Sequence, residues 1–339
     1  MKKILVTGGT GFIGSHTTIK LLEANFDVVI LDNLSNSSDK IIDKIKYLAK
    51  KDFLFIKGDI RDKNILKIIF SENKIDSVLH FAGLKAAGES EKYPIKYYEN
   101  NVLGSINLFK EMSLAGVNSI IFSSSATVYG EPKNSKCDEN SHLSPINVYG
   151  KSKLIIENIL KDIKKSEPFW KIVNLRYFNP IGAHPSGIIG EDPKGEPNNL
   201  LPFITQVAVG RKDKLLIFGN DYRTKDGTGR RDYIHVQDLA DGHLAALHKL
   251  MQEKECILDI NLGTGISHSV LEIISAFEKA CGKKIPYEFT QRRTGDIAEL
   301  CADPSFARDK LGWKAKKNIE QMCKDAWRWQ VQNPNGFNR

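Results

Sequence analysis

In Lys3-Ile4-Leu5-Val6-Thr7-Gly8-Gly9-Thr10-Gly11-Phe12-Ile13-Gly14, a short apolar run gives way to glycines at 8, 11 and 14, and a helical pattern then runs from Ile13 to Ala24. A strand that enters a glycine turn and opens a helix can bring a pyrophosphate onto the free N–H groups and positive dipole end of that helix. Glycine is needed for the tight turn, for bare backbone beside the phosphates, and for close packing of helix on strand. Three glycines at this spacing say little alone. Placed between a strand and a helix, Gly8, Gly11 and Gly14 predict a dinucleotide site.

The chain around this stretch has the matching texture. Strand-like runs at Val28–Leu31, Phe53–Ile56, Ser77–Phe81, Ser119–Phe122 and Ile172–Leu175 alternate with helical patterns such as Ile65–Ser71, Ile95–Ala115 and Val148–Lys164. Strands that alternate with helices imply βαβ units, and near-continuous apolar strands imply burial on both faces. The expected fold class is α/β, a doubly wound parallel sheet of Rossmann type with a smaller, loop-rich C-terminal substrate lobe. Gly and Pro become dense from Asn179 to Pro202 and again from Phe218 to Arg231, loops long enough to carry function. The run Ile257–Leu262 is expected to return to the first lobe. The cofactor lobe is therefore placed at 1–176, with about 235–263 returning to it, and the substrate lobe at 177–234 and 264–339.

Bulk composition narrows the function classes. The chain has 339 residues, 41% hydrophobic and 27% charged, enough to bury a core without disulfides or a structural metal. Its five cysteines are scattered with no CxxC pair, which argues against a disulfide framework and a zinc site. No metal is expected. The formal charge of +8 comes from Lys and Arg interleaved with acids along the whole chain, so no nucleic-acid partner is expected, only some attraction for an anionic small molecule. No apolar stretch approaches the roughly 20 residues that span a bilayer, and the apolar run after Lys2-Lys3 is too short for a signal peptide. A cytoplasmic location with no membrane partner is the expectation.

Two further groups of residues carry chemistry. Asp32 follows the second strand, where a carboxylate accepts both adenosine ribose hydroxyls and repels a 2′-phosphate; no Arg follows it in Asn33-Leu34-Ser35-Asn36, which favours NAD over NADP. Asp59 is a looser candidate for the adenine amine. Tyr149 and Lys153 stand four residues apart, hence on one helix face. A cation beside a phenol favours the phenolate, and a pKa drawn toward neutrality suits acid–base work. Tyr47 and Lys51 have the same spacing without any such context. What distinguishes Tyr149 is the strand-end segment Ser123-Ser124-Ser125-Ala126-Thr127-Val128-Tyr129-Gly130, from which Ser125 would hydrogen-bond a reacting alcohol.

With Phe81-Ala82-Gly83-Leu84-Lys85 added, these residues resemble the extended short-chain dehydrogenase/reductases. The segments Arg176–Pro185 and Asp226–Val236 resemble the UDP-galactose 4-epimerases of that family, and the likeness runs from about Lys3 to Asp303. The resemblance implies NAD as cofactor, a UDP-sugar as substrate and a homodimer. It implies Ser125, Tyr149 and Lys153 as catalytic residues that also touch the cofactor. With Gly8, Gly11, Gly14, Asp32 and Asn33, it places Phe12, Ile13, Asp59, Ile60, Phe81, Ala82, Gly83, Lys85, Asn100 and Phe178 at the NAD site. Lys85, Ser125 and Tyr149 would also meet substrate, together with Asn179, Asn199, Leu200, Leu216, Ile217, Phe218, Arg231, Tyr233, Arg293, Asp296 and Leu300. Arg231 and Arg293 suit a pyrophosphate, because a guanidinium fork matches paired oxygens. Asp296 suits ribose hydroxyls, and Leu216–Phe218 an apolar slot for uracil.

The implied reaction is reversal of configuration at C4 of a UDP-hexose through a 4-keto sugar. Hydride leaves C4 and returns from the opposite face after the sugar turns. Leu300, smaller than the Tyr that restricts some relatives, implies that N-acetylated hexoses are also accepted. A related oxidoreductase, the nucleotide-sugar 4,6-dehydratase, needs an Asp-Glu pair after the Ser/Thr near the catalytic tyrosine; Ala126 and Thr127 stand there instead. A non-catalytic NAD-binding regulator is the remaining alternative, and the presence of Ser125, Tyr149 and Lys153 argues against it.

Overall fold

The computed structural model describes residues 1–337 except 133, 135 and 294. The other three, and the last two positions of the expected substrate lobe, 338 and 339, lie outside the described residues.

Strands β1 (Lys3–Thr7), β2 (Asp27–Asp32), β3 (Leu54–Lys57), β4 (Ser77–His80) and β5 (Ser119–Ser125) come from the first half; β6 (Lys136–Cys137) stands apart from their sheet. They are followed by β7 (Lys171–Tyr177), β8 (Asn179–Ile181), β9 (Leu215–Phe218), β10 (Arg230–His235), β11 (Cys256–Leu262), β12 (Ser267–Ser269), β13 (Tyr287–Thr290) and β14 (Glu299–Ala302). The main sheet is parallel and seven-stranded, in the order β11-β7-β5-β4-β1-β2-β3. The chain leaves β1 toward β2 on one side, while β4 occupies the other, so the strand order reverses at β1. A crevice opens at that point, beyond the carboxyl ends of the strands.

The helices are α1 (Phe12–Glu23), α2 (Lys40–Ala49), α3 (Lys63–Glu72), α4 (Ala87–Lys92), α5 (Pro94–Tyr97), α6 (Gly104–Leu114), α7 (Val148–Ser166), α8 (Leu200–Ala208), α9 (Val236–Gln252), α10 (Val270–Cys281), α11 (Ser305–Leu311) and α12 (Ile319–Gln332). Along β1, Ile4 and Val6 point into one core and Leu5 into another, the period of two expected of a strand buried on both faces. The first core is closed by α1, α2 and α9 through Ile19, Leu22, Ile41, Ile45, Leu239 and Leu247. The second is closed by α3, α6 and α7 through Leu66, Ile69, Leu108, Met112, Ile156 and Leu160. The result is the three-layer arrangement read from the sequence. The returning strand β11 pairs with β7 over its whole length.

A smaller sheet, β12-β10-β14-β6 with β8 alongside β10, supports the other lobe. Its β6 strand comes from the first half of the chain. A third core, with Leu201, Ile204, Ile217, Ile273, Phe277 and Met322, packs α8, α10 and α12 there.

One expected helix differs. The pattern Ile95–Ala115 is broken by a π-helical turn at Tyr98–Leu103 between α5 and α6. The extra residue in that turn accompanies a buried Asn101, whose amide oxygen accepts from Leu84 N (2.8 Å) and whose nitrogen donates to Leu84 O (3.0 Å) and Ser152 Oγ (3.1 Å). Tertiary hydrogen bonds to one side chain, rather than local propensity, decide the geometry here. Among the described residues, no helix is long and apolar enough to cross a membrane.

Candidate active site

The glycine turn is built around contacts that leave no room for side chains. Gly8 has φ +72°, and a Cβ there would lie 2.7 Å from Ala82 N. A Cβ on Gly14 would lie 2.2 Å from Gly8 O, which is why helix and strand can approach. Gly11 differs: among the described residues, the only atom near its Cβ position is Gly8 O at 3.3 Å, so the space beside it is open. Gly11 also caps α1 without a side-chain hydrogen bond, leaving the first-turn N–H groups around Phe12 and Ile13 for an anion. These features fit a pyrophosphate.

Asp32, at the end of β2, is buried beneath the turn. Its Oδ2 accepts from Thr10 N (3.1 Å) and its Oδ1 from Leu34 N (2.9 Å). Asp59 is more fully engaged: Oδ1 accepts from the Arg61 backbone N and Nε (both 2.9 Å), and Oδ2 from Arg61 Nη2 (2.8 Å) and Asn33 Nδ2 (2.8 Å). Arg61 holds this carboxyl well below the usual carboxylate range. A carboxylate offers about four acceptor positions, so an adenine amine would compete with bonds inside the protein. Ile60 is buried, and its side chain abuts Gly104 on α6. Phe81 N and Ala82 N both donate to Thr7 O (2.9 and 3.1 Å), and Gly83 lies beside Asn101 and Lys153.

Ser125 ends β5 and caps a 3-10 turn, Ala126–Tyr129, where its Oγ accepts from Thr127 N (3.2 Å) and Thr127 Oγ1 (3.0 Å). Helix α7 starts at the Asn147 cap, whose Oδ1 accepts from Gly150 N (2.8 Å). Ser90 Oγ accepts from Tyr149 N (3.1 Å), so α4 also steers the helix start. Lys153 is buried and donates from Nζ to Ser123 O (2.7 Å), with Nζ 5.9 Å from the Tyr149 ring centroid. Burial pushes Lys153 down to about 7, opposed by the Glu157 carboxylate.

The cation expected to favour the Tyr149 phenolate meets an opposing effect from burial. Desolvation pushes Tyr149 above its ordinary value, and Ser125 only partly offsets this. The burial that raises the phenol also weakens the charge on Lys153.

Phe178, expected at the NAD site, is buried; of the expected substrate residues, Asn179 is exposed at the start of β8, opposite Tyr233 on β10. Arg231 donates to Arg230 O (2.8 Å), Ile297 O (2.9 Å) and Asp296 Oδ1 (3.2 Å). Three of its five N–H groups are thus fixed, aiming the rest. The Arg293 guanidinium stacks 3.9 Å from the Phe218 ring centroid. Along β9, Leu216 and Phe218 alternate with Ile217, which is only 2% exposed; a uracil slot would use the first two side chains and merely the backbone of the third. Leu300 on β14 sits opposite Arg231, in one apolar cluster with Ala126 and Phe178.

Lys85 Nζ and Asn199 Nδ2 both donate to Glu191 Oε1 at 2.8 Å, and Leu200 begins α8 directly after Asn199. Asn100 Nδ2 donates to Asn101 Oδ1 (3.0 Å). Glu191 and Asn101 were not singled out from the sequence. Two adjacent asparagines inside a helical pattern were the available signal for Asn101, since Asn is a weak helix former. Nothing local marks Glu191.

The comparisons with known proteins fit this geometry. A family model described as GDP-mannose 4,6 dehydratase matches residues 5–326. A UDP-glucose 4-epimerase of Bacillus subtilis is 53% identical over 334 residues, 98% of both chains. The solved structure of UDP-glucose 4-epimerase from Bifidobacterium longum, in complex with NAD+ and UDP, superposes with TM-score 0.97 at 50% identity, covering 99% of this chain and 100% of that one. The UDP-Glc/GlcNAc 4-epimerase from Campylobacter jejuni does so with TM-score 0.84 at 40% identity, covering 98% and 100%. With Ala126 and Thr127 after Ser125, and with such likeness along nearly its whole length, the chain belongs to the UDP-glucose 4-epimerase family of the extended short-chain dehydrogenase/reductases.

Proposed function

We propose that the protein interconverts UDP-glucose and UDP-galactose by reversing configuration at C4, as an NAD-dependent isomerase. The observation that carries this reading is one constellation: Tyr149 and Lys153 on one face of α7, with Lys153 tied to Ser123 O (2.7 Å) and Ser125 ending the same strand. No acid–base pair follows Ser125 to eliminate water, which disfavours the dehydratase route.

Gly8, Gly11, Gly14, Asp32 and the first turn of α1 would hold NAD, which when bound supplies the hydride acceptor and donor and a positive ring charge that favours the Tyr149 phenolate. Tyr149 takes the proton of the sugar 4-hydroxyl, and Ser125 hydrogen-bonds that oxygen and steers the transfer. Lys153 stabilises the phenolate while its own position is fixed by Ser123. After the keto sugar has turned over, Tyr149 returns the proton. Turning requires a firmly held nucleotide and a loosely held hexose. Arg231, Arg293 and Asp296 on the diphosphate and ribose, with Leu216 and Phe218 at the base, supply the first condition.

We assign cofactor holding to residues 1–176 with the return at 235–263, and nucleotide-sugar binding to 177–234 and 264–339. Leu300 leaves room beside the sugar C2 substituent, so UDP-GlcNAc and UDP-GalNAc are substrates too; the Campylobacter jejuni protein named for both sugars supports this breadth. The protein works as a cytoplasmic homodimer. Tyr93, Ile95, Leu103, Ile106 and Leu114 leave apolar side chains exposed along one stretch of chain, a surface that a second copy would cover. A monomer in light scattering would contradict that assembly.

The functional test is to incubate purified protein, without added NAD, with UDP-galactose and with UDP-GalNAc and to identify the products. UDP-glucose and UDP-GlcNAc are the expected products. No turnover of either sugar would overturn the assignment.

A further inference from the structure

We propose that the buried Glu157–Arg176 pair is a positioning device for the reaction, fixing the strand that carries Ser125 against the helix face that carries Tyr149 and Lys153. This inference rests on the epimerase reading above and adds residues to which that reading gives no role.

Glu157 lies one helical turn beyond Lys153 and two beyond Tyr149, so the three share a face of α7. Glu157 is 0% exposed and Arg176, on β7, is 1% exposed. The guanidinium grips the carboxylate with two bonds, Nε to Oε1 (3.0 Å) and Nη2 to Oε2 (2.6 Å). Glu157 Oε1 also accepts from Ser124 Oγ (2.6 Å), and Ser124 is the backbone neighbour of Ser125. Strand β5 is therefore attached to α7 twice in succession, through Ser123 O to Lys153 and through Ser124 Oγ to Glu157.

Arg176 extends the attachment outward. It donates to Asp259 Oδ2 on β11 (2.8 Å) and to Tyr129 Oη (3.3 Å), at the end of the turn that Ser125 caps. Tyr129 in turn donates to Asn261 Oδ1 (2.7 Å). A buried ion pair is weak as a source of stability, because desolvation costs about as much as the attraction returns, and apolar replacements are often neutral. What such a pair does supply is a fixed geometry, with a hydrogen bond on each oxygen.

The charge matters as well. The groups facing Lys153 are Tyr149 and Glu157 on its own helix, the Ser123 carbonyl and the Phe122 ring on β5, Gly83 after β4, and His80 on β4, which burial keeps neutral. Among these, Glu157 carries the negative charge that favours the ammonium form.

The test uses full-length holoenzyme and compares wild type with Glu157→Gln, the double variant Glu157→Gln/Arg176→Met, and Ser124→Ala. Melting temperature and bound nucleotide report folding; kcat and KM for UDP-galactose are measured from acid to alkaline pH. Glu157→Gln is expected to lose roughly tenfold in kcat with KM within about twofold, because misplaced groups cost turnover. Its kcat profile moves to lower pH, the alkaline limb by about one unit, because the ammonium has lost its nearest anion. The double variant leaves no unpaired buried charge. It regains the melting temperature but keeps the kcat loss and the displaced alkaline limb, which a merely structural role would restore. Ser124→Ala removes the strand–helix bond while keeping every charge, so kcat falls with the pH limbs unmoved. A folded double variant and a folded Ser124→Ala with wild-type kcat and profile would overturn the positioning role alone. An inactive wild type would instead overturn the epimerase reading, and this inference with it.

Discussion

Lys153 Nζ donates to the carbonyl oxygen of Ser123 across 2.7 Å, two residues before Ser125 on the same strand. The bond holds a buried ammonium next to the Tyr149 phenol, at a cost visible in the downward shift of Lys153 to about 7. In the unfolded chain a lysine keeps its proton to about pH 10.4. Between those values the unfolded state binds more protons, so wild-type stability rises with pH across that window. Lys153→Met removes this dependence. In protein stripped of nucleotide, the melting temperature of Lys153→Met relative to wild type should be most favourable below pH 7 and decline toward pH 10. The unpaired Ser123 carbonyl adds a pH-independent loss of about 1–3 kcal/mol. A difference that does not change with pH would contradict the assignment.

Tyr149→Phe retains the ring over Lys153 and removes the proton acceptor. Turnover of UDP-galactose should fall by roughly 10²–10⁴-fold, the usual contribution of a positioned acid–base group. Bound nucleotide and KM should stay near wild type. A fully active Phe variant would remove Tyr149 from the mechanism.

Two of the motif glycines should fail differently. Gly14→Ala places a methyl 2.2 Å from Gly8 O, a backbone atom, so both the fold and nucleotide retention suffer, by about 1–3 kcal/mol in stability. Gly11→Ala meets only one atom, at 3.3 Å, and its backbone (φ −71°) suits alanine. Stripped Gly11→Ala should melt like wild type yet lose NAD, read from the absorbance ratio after gel filtration. Equal melting losses in both variants would contradict this division.

Leu300→Tyr fills the space proposed for the C2 substituent. Turnover of UDP-GalNAc should drop by more than about tenfold while that of UDP-galactose stays within about threefold; a missing or unaccommodated group in a pocket is worth roughly 1–3 kcal/mol. Equal losses with both sugars would show that Leu300 acts through packing alone.

Much of this was legible in the sequence because it depended on local order. The strand–glycine–helix run, the strand-end serines and the Tyr149/Lys153 spacing each sit within a few residues of one another. Helix α2 was less visible against its charged surroundings, although Ile41, Ile45 and Ala49 follow one face of it. The π-helical turn at Tyr98–Leu103 was not legible, since Asn101 creates it by reaching Leu84 and Ser152. The acceptor for Lys153 is a main-chain oxygen, which no residue type announces. The direction of the Tyr149 shift also depends on burial, and burial of one side chain is a property of the assembled fold. Glu157 and Arg176 fall between: each was visible as a charge, but their pairing across 19 positions required the sheet.

The central claim is that C4 gives up its hydrogen and receives the same one back while Tyr149 handles only the hydroxyl proton. UDP-galactose carrying deuterium at C4, turned over in ordinary water without added NAD and analysed by mass spectrometry and NMR, tests it directly. The account predicts UDP-glucose with the deuterium retained at C4. UDP-glucose with solvent hydrogen at C4 would contradict it.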